Sequence, residues 1–125
     1  MDTQKAYTLH EEHKSWLNKL AFYADDIMVL EKRLEEVVAK NTDKEVLAMA
    51  HHFENQFIMR KEQIDEMRHA IKEHEAYIEG KISHNPAADH VDMHDHPKER
   101  GTIESFEKIF AETRQEFISY LSKTM

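Results

Sequence analysis

A chain of 125 residues is long enough for one domain with its own core, so neither disulfide nor metal is required to hold it together. With no cysteine, disulfide frameworks and thiolate zinc motifs are excluded, and only His, Asp and Glu remain as residue types able to hold a metal. A net charge of −8, with Lys and Arg interspersed among the acids, argues against nucleic acid as a partner, which would need a concentrated basic face.

Two Gly and two Pro against 34% charged residues suit long helices and suit sheets poorly, so an all-α fold is expected. Thr8 with Glu11 resembles a capping box. From there Leu9, His13, Trp16, Leu20, Tyr23, Ile27, Leu30, Leu34 and Val37 step by four and three, the a/d pattern of one buried helix face. The first helix is therefore predicted over residues 9–40, about 48 Å at ~1.5 Å per residue, with Asn41 as its stop.

A second box, Thr42 with Glu45, opens the next helix at once, predicted over 43–82. Its stripe is Val46, Ala50, Phe53, Phe57, Arg60, Ile64, Met67, Ile71, His74 and Ile78. So short a linker forces an antiparallel hairpin. Arg60 then occupies a core position level with Tyr23, Ala24 and Asp25, where it either pairs with Asp25, Asp26, the Tyr23 hydroxyl or an acid of a second subunit, or extends its head to water.

Asn85-Pro86 marks a turn, and residues 83–97 read as a His/Asp-rich loop. A last stripe, Ile103, Phe106, Phe110, Thr113, Phe117 and Tyr120, gives a third helix over about 98–123, starting near Pro97 or Thr102. Running back along the second helix, it is expected to cover the hairpin only as far as Arg60. The closed end, roughly Met28 to Phe57, would then be two bare helices carrying Phe22, Met28, Val29, Val38, Met49, Ile58 and Met59 as surplus apolar surface. The expected remedy is a homodimer in which two hairpin tips complete a four-helix bundle.

Eight of the ten histidines fall at the open end of the hairpin: His10, His13, His69, His74, His84, His90, His94 and His96. His13 and His74 both sit on the stripes and should be near neighbours. Imidazole and carboxylate suit zinc, iron and similar divalent ions when three or four converge, so His10, His13, His74 and Glu73, with His90 or His94 from the loop, form a candidate metal set. No complete HExxH or paired Glu and Glu-x-x-His set is present, and the stripes as read contain no inward Glu for a di-iron carboxylate bundle.

The favoured reading is a small cytoplasmic helical interaction or structural module acting as a homodimer, with a further protein partner unidentified. The alternative is a metal-binding bundle built on the open-end cluster. Both are expected to work without a membrane, because no stretch approaches 18 apolar residues and the N-terminus has no apolar signal region. An enzyme without metal, using His74 with Glu73 or Tyr77, finds no nucleophile, phosphate loop or cofactor fingerprint to support it. Clustered histidines would also make the chain responsive to pH, since protonating all ten takes the charge from −8 to +2.

Overall fold

The computed structural model describes residues 2–84 and 95–124, all in three helices and one short turn. They are α1 (Asp2–Lys40), α2 (Lys44–His84) and α3 (Asp95–Thr124), without a strand among the described residues. The chain runs up, down and up. Antiparallel α1 and α2 form the hairpin, and α3 lies parallel to α1 at a sequence offset of 84 between Glu12 and His96 and 88 between Asp26 and Arg114.

Local chemistry explains the helix ends, with two corrections to the expected caps. Because α1 begins at Asp2, Thr8 lies inside the helix and does not cap it. The start of α2 is capped by Asp43, whose Oδ1 accepts from the Glu45 and Val46 amides at 2.8 and 3.2 Å; Thr42 is one residue too early. The Leu47 amide donates to the Asp43 carbonyl and closes the first turn. At the other side of the turn, Asn41 Nδ2 donates to the Val37 carbonyl at 2.8 Å and satisfies an acceptor that the end of α1 leaves free.

α3 departs most from expectation. It starts before Pro97, which fits because a proline in the first turn withholds an amide that has no helical partner there. His96 therefore belongs to a helix, not to the loop, and shares that helix with Glu99. The register differs too. His96 packs level with His74, well short of the end of α2, so the thirty residues of α3 extend to the closed end of the hairpin. There Phe117 packs edge-on against Phe53 and Phe57, with centroids 5.1 and 5.0 Å apart, and the Tyr120 hydroxyl donates to the Val46 carbonyl at 2.7 Å. The expected bare tip is thus covered by the chain's own third helix. Phe22, Met28, Val29, Val38, Met49, Ile58 and Met59 nonetheless remain exposed.

The core is one continuous cluster from Trp16, Ile71 and Ile103 down to Leu34, Ala50 and Phe117. Beyond it, at the open end, Leu9 and Ile78 form a small cluster of their own. What separates the two is a polar layer. Arg60 is buried in mid-bundle, 4% exposed, with Nε and Nη1 lacking a hydrogen-bond partner among the described residues. Neither Asp25 nor Asp26 pairs with it; Asp26 instead accepts from Arg114 Nε at 2.8 Å.

Candidate metal centre

Each helix contributes to the polar layer from its core-facing stripe. His13 lies between Leu9 and Trp16 on α1, and His74 between Ile71 and Ile78 on α2. On α3 the alternating steps of three and four that join Ile103 to Phe117 extend back through Glu99 to His96. The a/d rule that buries leucines and phenylalanines elsewhere here turns three imidazoles and a carboxylate inward.

The His13 side chain is 1% exposed, His74 8%, His96 4% and Glu99 13%. Their ligand atoms all lie within 4.8 Å of one another. Glu99 Oε2 is the hub, 3.0 Å from His13 Nε2, 3.0 Å from His74 Nδ1 and 3.7 Å from His96 Nδ1. The His13 ring stands 4.9 Å from that of His74 and 5.1 Å from that of His96, and Trp16 stacks on His96 at 4.9 Å. Apolar layers lie on both sides along the bundle axis, which weakens the solvent competition that would otherwise disperse charge.

A second ring of carboxylates holds two of the imidazoles from behind. His13 Nδ1 lies 2.6 Å from Glu75 Oε2, and His96 Nε2 donates to Glu12. Glu12 is itself gripped by Arg100, Nη2 to Oε1 at 2.8 Å and Nε to Oε2 at 3.2 Å. Hydrogen bonds from Arg100 hold the Glu12 carboxyl below the usual carboxylate range; burial opposes this, and His96 adds to it. Burial likewise pushes Glu75 up, but hydrogen bonds from His10 and His13 outweigh it and leave Glu75 below that range. Both groups are therefore ionised acceptors at neutral pH.

These outward bonds fix how the rings face inward. A neutral imidazole that donates from one nitrogen presents a bare lone pair on the other. Donation from His13 Nδ1 to Glu75 leaves Nε2 bare toward Glu99, and donation from His96 Nε2 to Glu12 leaves Nδ1 bare toward the same carboxylate. Two acceptors then face an acceptor, and His74 Nδ1, 3.0 Å from Glu99 Oε2, is the one imidazole nitrogen here free to donate to it. His96 Nδ1 and His74 Nε2 are buried without a hydrogen-bond partner among the described residues, so the layer keeps unanswered polar atoms. Carboxylate behind imidazole is the usual support of a metal-bound histidine. The donor set and the orphaned nitrogens both fit a metal ion, and the group could hold one.

Of the residues singled out from the sequence, the structure brings His13 and His74 together in this layer. His10 belongs to a neighbouring, more exposed group with Glu75 and Glu79, where its bond to Glu75 raises its pKa. Glu73 points away, pairing with His69 at 3.0 Å on the outer face of α2. His90 and His94 lie outside the described residues. His96 counts among the open-end histidines but not in the expected metal set, and Glu99 and the supporting Glu75 and Glu12 escaped the sequence reading. His96 and Glu99 were legible in principle, because the Ile103 stripe continues through them in unbroken phase, so the statement that the stripes hold no inward Glu is corrected by Glu99. Glu75 and Glu12 follow His74 and precede His13 by one residue, positions that periodicity assigns to a flank.

Compared with known proteins, the chain matches no family model, no curated protein and no solved structure.

Proposed function

We propose that the protein binds a divalent transition-metal ion, zinc or iron, through His13, His74, His96 and Glu99. The observation that carries this reading is the convergence of three imidazoles on a largely buried carboxylate, with Glu75 and Glu12 bonded to the outer nitrogens of two of them. Arg100 balances Glu12 and His10 pairs with Glu75, so a divalent cation would answer chiefly the Glu99 carboxylate. Four donors from three helices would also tie the start of α3 to the hairpin, so occupancy and folding would be coupled. Bound there, the ion would supply Lewis acidity in a site shielded by Leu9 and Ile78 on one side and Trp16 on the other.

The test is elemental analysis of untagged protein by mass spectrometry, with thermal melts before and after chelation. Roughly one metal per chain is expected, with its loss lowering the melting point and His74→Ala abolishing retention. Metal-free protein that fails to take up zinc or iron, with a melt indifferent to chelator, would overturn the reading.

A second reading, the homodimeric interaction module, keeps one favourable observation. Val38 and Ile58 border an open groove between α1 and α2, flanked by Glu31 and Lys61, on a bundle that already has its third helix. In this reading a second copy covers that groove. Sedimentation should then show concentration-dependent mass, and a monomer at every concentration would remove it.

A further inference from the structure

Glu99 belongs to two structures at once. Its carboxylate touches His13 and His74, and the same residue lines a cavity of about 290 Å³ between α2 and α3. The cavity walls are Met67, Ala70 and Ile71 on one helix and Thr102 and Ile103 on the other. Ala70 and Ile71 stand one helical turn before His74, which places the cavity directly beneath the polar layer. His74 is more than nine-tenths buried, and its Nε2 has no partner among the described residues.

Two features identify what could occupy this space. Its lining is mostly apolar, and it continues into a wider groove of about 500 Å³ that shares Met67, Lys98 and Thr102 and runs on to Phe106 and Ile109. At the end nearest the polar layer stands Lys98, which has no ion-pair partner among the described residues. An ion that prefers more than four ligands keeps positions for an outside donor beside those of the protein.

We infer that the cavity between α2 and α3 admits a small carboxylate with an apolar tail to the metal bound by His13, His74, His96 and Glu99. The inference rests on the metal reading above. The head lies between the ion and Lys98, whose charge complements it, and the tail follows Ala70, Ile71 and Ile103 toward Phe106. A hydrophilic anion of the same charge has the head without the tail and binds more weakly.

The full chain is loaded with cobalt(II), and its visible ligand-field bands are followed while acetate, then hexanoate, is titrated. Both acids are expected to alter the bands, with hexanoate binding at least about tenfold more tightly because its extra methylenes are buried. Two exposed positions separate head from tail. Ala70→Phe fills the cavity and should bring the two affinities together, while leaving the cobalt bands in place. Lys98→Gln should weaken both acids by a similar factor, up to about fivefold. Cobalt bands indifferent to both acids, equal affinities for them in the unaltered chain, or a hexanoate preference that survives Ala70→Phe would each overturn the inference while leaving the metal site standing. Failure of cobalt to bind, seen before any carboxylate is added, would overturn both readings.

Discussion

The two ends of this bundle are built on the same helical pattern and closed by different chemistry. At the tip, Phe117 meets Phe53 and Phe57 edge to face, and the Tyr120 hydroxyl finds a backbone carbonyl. At the open end, the equivalent stripe positions hold His13, His74, His96 and Glu99, with carboxylates behind them. Dispersion needs only proximity, so the aromatic layer is complete as it stands. The polar layer carries lone pairs that face one another and stays intact only with protons or a cation among them. Identical backbone geometry therefore yields one end that is independent of solution conditions and one that depends on them.

The largest effect is expected at the tip. Phe57→Ala should cost about 3–5 kcal/mol in denaturant unfolding, and by the same amount with or without chelator, because the cavity it leaves is far from the histidines. An equal loss that vanished in chelator would mean that the two ends are not separable. Metal removal comes next. At free metal about a thousandfold above the dissociation constant, its withdrawal should lower stability by about 4 kcal/mol in the unaltered chain and by nothing in His13→Ala. Calorimetry with metal-loaded and stripped protein checks both.

Smaller effects sharpen the contrast. Glu75→Gln keeps the size of the side chain but weakens its hold on His13, so metal affinity should fall about 10–100-fold in a competition titration, while the tip variant leaves affinity unchanged. Gly101→Ala adds a methyl group that meets nothing within 4 Å and should raise stability by about 0.5–1 kcal/mol irrespective of metal, read as a shift in denaturant midpoint. Tyr23 gives the smallest change near neutral pH. Burial and its hydrogen bond to Glu107 push it up to about 12 from an ordinary 10, so folding favours the neutral phenol. Its contribution is fully present below pH 10 and lost as pH rises toward about 12. Tyrosinate absorbance should show a late-titrating group that Tyr23→Phe removes, beside Tyr120, which burial also raises.

The hairpin was legible because two long stripes and a short linker leave a single register. Arg60 was legible as buried for the same reason; its lack of a carboxylate partner was not, because that depends on Asp26 having been taken by Arg114 of a helix far away in sequence. The extent of α3 was nearly legible, about 98–123 against Asp95–Thr124, with Pro97 suited to a first turn and only Gly101 arguing for a later start. Its placement along the hairpin was not, because periodicity gives a helix its buried face and not its height against its neighbours, so the tip read as bare when Phe117 and Tyr120 in fact reach it. Beginning the stripe at Ile103 hid His96 and Glu99. Glu75 and Glu12 were out of reach for another reason: a residue that supports a ligand from behind lies beside the stripe, where the pattern gives it no distinction from solvent-facing acids.

Trp16, the only tryptophan in the chain, lies face to face with His96 at the start of α3 and 5.5 Å from His13. Its emission is sensitive to what those rings carry and to whether α3 is docked. The protein thus contains an intrinsic fluorophore that reports from its polar layer alone, and the Phe53, Phe57 and Phe117 layer contributes nothing to that signal.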